Sequence, residues 1–517
     1  MTGSYIDGSG TSLRSKALSG SFWLSSQWLL NKIVTSVSML VIAHFLSPDD
    51  FGVAATALAF AALVYVMPLP AMGDVLVAHP GRIELLAPTA ARLSWLAAAL
   101  GTCLMAGSIP LALRWYDAYP AAWLGGLLAV LAIRPVLEGL SVVPRSNLRL
   151  RLRFRAVALI DGVFQLLATL LSTVLAGIGA RAASLVVPQI VNQAGRAAGY
   201  VRTGAVRSTR RFHRGIAYLL MRDFMRGGIA QYIHGLTLQV NLMILGYVSG
   251  AYQAGLYGFA SMLAVQINSM IATRLGEVMQ PILGTLQGDT VRQARAFVRS
   301  LQALGAVCIP LALLQAVLAE PLFELLFDPK WRPAIGLFQI LALREVFAFA
   351  AGPNMSCLKA QGRFGVLLTY QVVHIALTVP IYWFAAREGG AIGVAIGSAI
   401  VWCVTTVFVT WLCTSRDSRG DVGGVIRLFA RPLLSTLPLF GGGYLLVGVL
   451  SRWHAAGQIV AVAIVGPMLA VLALLIIRLV DPDFRSLLDG LLRSGRRRIG
   501  QWRQRAQPSS SGAAGDR

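Results

Sequence analysis

Long apolar runs dominate this chain, and they constrain its fold more than any other feature. An α-helix needs about 20 predominantly apolar residues to cross a hydrocarbon layer of about 30 Å, and most of these runs reach that length. We count fourteen runs, at 22–46, 51–78, 93–113, 119–144, 156–178, 183–201, 227–249, 253–273, 300–318, 334–358, 364–386, 391–413, 432–450 and 457–479. A soluble protein of 517 residues, 56% of them hydrophobic and 13% charged, could not hide that apolar surface. The sequence therefore predicts an all-α polytopic membrane protein with about fourteen transmembrane helices.

The positive charges predict how the runs are oriented. The net charge is +23, which in a soluble protein would suggest a nucleic-acid partner, but here the basic residues lie in the short gaps between apolar runs. With a cytoplasmic N-terminus and alternating helices, 36 of the 45 basic residues fall on the cytoplasmic side and six on the outer side. This asymmetry follows the positive-inside rule. We expect both termini to be cytoplasmic, the first run to be retained rather than cleaved, and no nucleic-acid partner.

An internal repeat divides the runs into two sets of six. The segment around Gly52 matches the segment around Gly255, and Arg92 matches Arg295, both at an offset of 203 residues. Transporters are often built from two such repeats with a binding site between them. The predicted organisation is a cytoplasmic N-terminus 1–21, an N-lobe 22–201, a basic cytoplasmic linker 202–226, a C-lobe 227–413, two added helices with their preceding loop 414–479, and a basic cytoplasmic tail 480–517.

Three local sequences resemble a known family. They are FLSPDDFGVAATALAF (45–60) followed by MGDVLV (72–77), VPRSNLRLRLRFRAVALID (143–161) and VMQPILGTLQGDTVRQARAF (278–297). In order and spacing they are similar to the polysaccharide-transport (Wzx-type) branch of the multidrug/oligosaccharidyl-lipid/polysaccharide (MOP) flippase superfamily. The resemblance covers roughly residues 20–415.

The resemblance implies a fold and a function. The fold would be two six-helix bundles around a central cavity, with two extra helices. The function would be to flip undecaprenyl-diphosphate-linked oligosaccharide units from the cytoplasmic to the periplasmic leaflet of the bacterial inner membrane, for exopolysaccharide, capsule or O-antigen synthesis. Such a transporter would work beside a polysaccharide polymerase and a chain-length regulator, and it would need no cofactor.

Two basic residues near the middle of their runs are candidates for binding the diphosphate. Lys32 and Arg344 are each the eleventh residue of a run, where a charge costs at least about 2.5–3.5 kcal/mol unless it meets a partner or water. An ammonium and a guanidinium both suit a diphosphate. The alternative is structural pairing, of Arg344 with an acid on a neighbouring helix and of Lys32 with Gln27 or Asn31.

The fourth run contains a third basic candidate. Arg134 and Glu138 are one helical turn apart, so an ion pair on one face of the helix is the favoured interpretation. Pro135 should kink the helix between them. The functional alternative is that Arg134 contacts the substrate and that protonation of Glu138 opens a cytoplasmic gate.

Four further residues are candidates for proton or sodium coupling. Asp74, Asp161, Glu345 and His374 lie in or beside apolar runs, where a titratable group is commonly functional. Each has a structural alternative. We expect Asp161 to lie in the first turn of its helix, Glu345 to point about 100° away from Arg344, and His374 to be a hydrogen-bonded structural histidine.

Turn chemistry and loop charge add two expectations. Ser47, Pro48 and Asp50 predict a helix N-terminus rather than a metal site, and Pro68 and Pro70 should bend the following helix. The five arginines of 145–155 either grip an anionic headgroup or reflect cytoplasmic topology. No metal-ligand spacing is visible among the cysteines and histidines.

Two other classes of function remain open. The longest loops have about 25 residues and are cytoplasmic, which argues against an enzyme with an external catalytic domain, although a polysaccharide polymerase or ligase with an intramembrane site is not excluded. A cation-coupled drug exporter or a peptidoglycan-precursor flippase would share the architecture. The mid-span cations favour an anionic cargo.

Overall fold

A computed structural model describes residues 27, 30–64, 72–73, 76, 83–117, 119–151, 153–204, 214–286, 289–414, 422–480 and 484–485. Within those ranges the chain is almost entirely helical and contains no β-strand. The helices of the first part of the chain are α1 (Leu30–Phe45), α2 (Pro48–Val64), α3 (Ile83–Trp115), α4 (Ala121–Leu131), α5 (Arg134–Leu150), α6 (Phe154–Gly177) and α7 (Ala183–Gly204).

The second part of the chain continues the same pattern. Its helices are α8 (Arg214–Val248), α9 (Gly250–Thr285), α10 (Thr290–Val317), α11 (Ala319–Leu326), α12 (Ala334–Ala348), α13 (Ala351–Ala360), α14 (Phe364–Thr414), α15 (Val422–Ser451), α16 (His454–Val460) and α17 (Gly466–Val480). A 3₁₀ turn, Pro329–Trp331, precedes α12, and a π-helical segment, Ala461–Val465, joins α16 to α17.

These helices confirm the predicted fold class of an all-α polytopic membrane protein. Eight helical segments among the described residues are long and apolar enough to cross a membrane, and shorter apolar helices accompany them. Helix α14 spans two of the predicted apolar runs, but its backbone is not helical at Gly390. This residue has φ 54°, a left-handed conformation that glycine adopts without a steric penalty. The runs 364–386 and 391–413 are therefore two helices.

The sequence correctly predicts the start of α2. The Ser47 hydroxyl accepts the Asp50 N–H at 3.2 Å, and the Asp50 carboxylate accepts the Ser47 N–H at 3.3 Å. This reciprocal pair is a capping box, with Pro48 as the first helical residue. The predicted helix start is confirmed.

The repeat-related glycines lie against each other's helices. A Cβ at Gly52 would lie 1.8 Å from the carbonyl oxygen of Ala251, and a Cβ at Gly255 would lie 1.8 Å from that of Pro48. Ala251 is the repeat equivalent of Pro48, so the two contacts exchange under the 203-residue shift. Such reciprocity is what a two-fold relation between two elements produces. The N-termini of α2 and α9 therefore cross about a local pseudo-two-fold axis that only glycine allows.

The reciprocity extends to the loops beside this crossing. The end of α1 is held by the turn before α12, since Trp331 Nε1 donates to the Ala43 carbonyl at 2.9 Å. The end of α8, its repeat equivalent, is held by the segment after α3, since the Tyr116 hydroxyl donates to the Met243 carbonyl at 3.2 Å. The charge distribution assigns all four segments to the same, outer side of the membrane. Their contacts agree with the predicted alternation of the helices.

The described helices fall into two compact units. The first comprises Met1–Leu263, Leu322–Leu341 and Arg363–Val401. Its largest core cluster joins α2, α3, α4 and α7, with Phe60, Leu128 and Val186 buried at the centre. Polar and charged side chains in this unit are therefore held by a well-packed helical frame. The lobe boundaries taken from the sequence stay a prediction.

The second unit comprises Ala264–Pro321, Ala342–Gly362 and Trp402–Arg517. In it α10 packs on α15 and α17. Ala306 of α10, Ile477 of α17 and Phe484 form a small buried cluster there. The last two apolar runs are therefore integrated with α10 of this unit.

Candidate translocation cavity

A cavity of about 490 Å³ lies within the first unit. It is lined by α2, α3, the α4–α5 junction, α7 and α8. Gln239 of its wall lies about nine residues, or about 14 Å, before the end of α8. This is close to half of the roughly 30 Å hydrocarbon thickness. The wall is mostly apolar, but it carries several polar and charged side chains that a hydrophilic group could contact at this depth.

Arg134 and Glu138 both line this cavity. The helix breaks at Ala132 and Ile133, and α5 begins at Arg134 with Pro135 in its first turn, so the predicted kink lies just before the proline. Arg134 is exposed and Glu138 is half-buried. Within the described part of the chain neither makes a salt bridge.

The expectation that Arg134 and Glu138 form an ion pair is therefore wrong. Side chains on a helix lean toward its N-terminus, so a basic residue that precedes an acid by four positions is less well placed to pair than the reverse order. Arg134 is also the first residue of α5, so no earlier turn of this helix lies next to its side chain. The two groups share one cavity wall and leave their charges available to a cargo.

Sequence reasoning missed the amide groups of the cavity. Gln189, Gln231 and Gln239 line it, as does Tyr232. The Tyr232 hydroxyl donates to the Leu63 carbonyl at 2.5 Å. Gln231, Gly235 and Gln239 recur every four residues, and this polar stripe on one face of an apolar helix could have revealed them. Amides can both donate to and accept from sugar hydroxyls.

Lys32 is the third residue of α1, and it is half-buried. Its own carbonyl accepts the Ser36 hydroxyl at 2.9 Å. In the described ranges its ammonium has no hydrogen bond to Gln27 or Asn31, the partners that a structural pairing predicts. The role of Lys32 as a cation that binds the cargo therefore stays a prediction.

Arg344 and Glu345 form a buried ion pair in the second unit. The guanidinium contacts Glu345 Oε1 through Nη2 at 2.8 Å and through Nε at 3.3 Å, and the two residues are 6% and 4% exposed. The expectation that adjacent positions need not pair is corrected, because long side chains can bend back over one peptide unit. The acid that pairs with Arg344 is the next residue of its own helix and not, as expected, one on a neighbouring helix, but the buried pair supports a structural role.

Asp161 is the centre of a polar cluster at the end of the first unit that the charge pattern assigns to the cytoplasm. Its carboxylate contacts Arg196 Nε at 2.7 Å and Arg145 Nη2 at 3.5 Å, and it accepts the Tyr200 hydroxyl at 2.6 Å. Helix α6 starts at Phe154, so Asp161 lies in its third turn and not, as expected, in its first. The carboxylate ties α5, α6 and α7 together.

His374 is not among the described residues that line this cavity. His374 is buried and its ring stacks on Tyr370 with centroids 5.5 Å apart. One turn away, Gln371 Nε2 lies 3.5 Å from His234 Nδ1. Asp74 and the bend predicted at Pro68 and Pro70 lie outside the described residues.

An apolar groove of about 630 Å³ lies in the second unit. Its walls come from α12, the second half of α14 and α15. Phe347, Val404, Phe408, Ile426 and Ala430 are among its lining residues. The near-absence of polar groups suits a hydrocarbon chain.

The comparison with protein families identifies the chain. A family model described as "Polysaccharide biosynthesis protein" matches residues 41–336, more than half of the sequence. The chain belongs to this family.

Curated relatives agree with membership of the polysaccharide biosynthesis family. The chain is similar to the succinoglycan biosynthesis transport protein ExoT of Rhizobium meliloti, with 24% identity over 78% of this chain and 80% of that protein. It is also similar to the lipopolysaccharide biosynthesis protein WzxC of Escherichia coli, with 26% identity over 34% of this chain and 36% of that one.

Solved structures agree on the fold of this family member. The lipid II flippase MurJ in an inward closed conformation matches with a TM-score of 0.70, 12% identity and coverage of 91% of this chain and 99% of that one. An inward-facing multidrug-resistance MATE transporter of the MOP superfamily matches with a TM-score of 0.58, 15% identity and coverage of 77% and 96%. The family that the local sequences resemble is therefore confirmed as a polysaccharide biosynthesis family, and the solved structures confirm the expected fold.

Proposed function

We propose that this protein is a flippase that moves an undecaprenyl-diphosphate-linked oligosaccharide from the cytoplasmic to the periplasmic leaflet of the bacterial inner membrane by alternating access. One observation carries the proposal: in a chain of the polysaccharide biosynthesis family, Arg134 lines a cavity at about mid-membrane depth and has no salt bridge to any described residue. A cation is costly at that depth, so its presence needs a partner that arrives with the cargo.

Arg134 and Lys32 support the diphosphate part of the proposal. A diphosphate must leave water to cross, and a guanidinium offers it a bidentate fork while an ammonium offers a point charge. Arg344 is held by Glu345 in a buried pair, so a direct role in cargo binding has less support. The proposed phosphate contact in the cavity is therefore Arg134 of the first unit, since Lys32 is not among the described residues that line that cavity.

The glutamines of the cavity support the saccharide part. Three amides facing one cavity can exchange hydrogen bonds with sugar hydroxyls without selecting one sugar. Such diffuse recognition suits a carrier that must pass a bulky and flexible oligosaccharide.

The apolar groove of the second unit supports the lipid part. A polyprenyl chain cannot enter a polar cavity without losing its apolar environment. We propose that the groove holds part of this chain while the sugars cross.

Energy coupling is a separate element of the proposal. Glu138 lines the same cavity as the proposed phosphate contact Arg134, and its protonation would remove a negative charge from the cavity wall. Proton or sodium coupling through Glu138, Glu345, His374 or Asp74 stays a prediction, as does a partnership with a polysaccharide polymerase and chain-length regulator.

A deletion strain tests the proposed function. Loss of the gene should abolish surface polymer and leave lipid-linked repeat units accessible only from the cytoplasmic side of the membrane. The full chain supplied from a plasmid should restore both. Units that reach the periplasm but stay unpolymerised would indicate a polymerase or ligase instead, and unchanged polymer with increased drug sensitivity would indicate a drug exporter.

A further inference from the structure

A second polar pocket lies in the first unit, at the membrane side that the charge pattern makes external. Its volume is about 690 Å³, within the range of small-molecule sites. The end of α3 with Asp117 after it, the α8–α9 junction and the residues up to the turn at Gly390 form its walls. It is separate in sequence and in depth from the mid-membrane cavity, and the proposed flipping step does not use it.

Two arginines converge on this pocket from distant parts of the chain. Arg114 and Arg387 are among only six basic residues that the sequence assigns to external loops, where positive charge is disfavoured. Two of the other four have acidic partners, since Lys330 lies 3.4 Å from Asp328 and Arg332 lies 3.5 Å from Glu324. In the described ranges neither Arg114 nor Arg387 has one.

Three aromatic side chains also line this pocket. Tyr247 and Trp383 stack with centroids 5.6 Å apart and ring planes 26° from parallel. The Arg387 guanidinium lies 5.1 Å from the centre of the Trp383 ring. Trp115 adds a third ring that is 44% exposed. These rings are ordered by one another yet keep surface open to the pocket.

We propose that this pocket is a binding site for an acidic oligosaccharide at the external mouth of the protein. The apolar faces of sugar rings pack on Trp and Tyr, and the two guanidiniums can hold a carboxylate or another acidic substituent through charge-assisted hydrogen bonds. Gln253 uses its carbonyl oxygen to accept the Ala391 N–H at 3.4 Å, which leaves its amide N–H₂ for a sugar hydroxyl. This pairing of open aromatic rings with fixed donors is what sugar chemistry requires.

The site deepens the proposed function, on which its biological role rests. It would hold the sugar chain on the external side after crossing and so oppose its return. The same chemistry would also bind a segment of finished acidic polymer, so the two sources must be separated by experiment.

Binding of a soluble glycan to the purified full-length protein tests the site without transport. The probe is hyaluronan tetrasaccharide, which carries a carboxylate on alternate sugars, with neutral maltotetraose for comparison. We expect saturable binding of the acidic glycan, weakened about tenfold in both Arg387→Gln and Trp383→Ala. The matched control Arg452→Gln, an exposed external arginine outside the pocket, should change the affinity by less than about twofold.

Three outcomes would overturn the proposal: no saturable binding of the acidic glycan, equal binding of the neutral one, or equal loss in the Arg452→Gln control. Unchanged thermal unfolding of Arg387→Gln keeps the result independent of folding. Because no flipping is involved, failure of this binding assay leaves the deletion-strain result standing, and the reverse also holds.

A photo-crosslinker introduced by Val248→benzoylphenylalanine identifies the source of the bound saccharide in cells. A prenylated adduct indicates the carrier-linked unit, and an unlipidated adduct indicates finished polymer. The absence of any saccharide adduct contradicts the site.

Discussion

At the scale of single residues, the proposed function depends most on Arg134, which lines the mid-membrane cavity. It begins α5 directly after a helix break, and this position directs its charge into the cavity rather than along the helix. An arginine elsewhere in an apolar run would need a protein partner. The break before Pro135 thus places Arg134 at a helix start, a position that hydropathy alone does not reveal.

We expect Arg134→Gln to reduce polymer export about tenfold or more, because a charge-assisted contact to phosphate is lost. Arg134→Lys should retain part of the activity, since the charge remains without the bidentate fork. Surface polymer per cell, normalised to the amount of protein in the membrane, is the measurement. The control Arg292→Gln removes an exposed arginine of α10 and should have no effect; normal export in Arg134→Gln would contradict the cavity assignment.

Asp161 has contacts that favour a structural role, while its role in ion coupling stays a prediction. Because it contacts Arg196, Arg145 and Tyr200, Asp161→Asn should destabilise the protein by about 1–3 kcal/mol. Thermal unfolding in detergent measures this loss. In a double-mutant cycle with Arg196→Gln, the double variant should lose less than the sum of the single losses. Strict additivity, or an altered cation dependence of export at unchanged stability, would favour ion coupling instead.

At the scale of helices, the crossing of α2 and α9 depends on two glycines. Gly52→Ala and Gly255→Ala would each place a methyl group 1.8 Å from a carbonyl oxygen of the other helix. We expect each to cost at least about 1–3 kcal/mol, and to a similar extent, because the contacts are related by the repeat.

The amount of folded protein and its unfolding temperature measure this cost. Gly126→Ala is the matched control, since no atom lies within 4 Å of a Cβ there and alanine favours a helix by up to about 1 kcal/mol. If the Gly52 and Gly255 variants are as stable as this control, the close crossing of α2 and α9 is wrong.

The second prediction at this scale tests the role proposed for the apolar groove beside α15. Ala430→Trp should fill the groove and reduce export several-fold without reducing stability, because a polyprenyl chain would lose its place. Leu445→Trp adds the same side chain at an exposed position of the same helix and should be neutral. Undiminished export in Ala430→Trp would indicate that ordinary membrane lipid occupies the groove.

At the scale of the whole molecule, the asymmetry of basic residues predicts the topology. We expect green fluorescent protein fused to the C-terminus to fluoresce, and alkaline phosphatase fused there to be inactive, because both termini are assigned to the cytoplasm. Alkaline phosphatase fused after Glu388, in an external loop, should be active. The reverse pattern would invert every loop, and it would move the arginine–aromatic pocket to the cytoplasmic side.

Much of the fold follows from the sequence by itself. Hydropathy locates the apolar helices, because each must satisfy its own backbone hydrogen bonds in lipid. The capping box at Ser47 and Asp50 and the repeat of Gly52 and Gly255 are local patterns, so they too can be read without coordinates. The family resemblance rests on the same kind of local order.

Only the tertiary structure decided which charges meet. Arg134 and Glu138 are four residues apart and do not pair, whereas Arg344 and Glu345 are adjacent and do. Asp161 with Arg196, and Arg114 with Arg387, come together across long stretches of chain. The physical reason is that periodicity fixes which face of a helix a residue occupies, while the packing of one helix against another fixes what that face meets. A sequence can therefore predict that a membrane helix carries a charge, and the fold selects the partner.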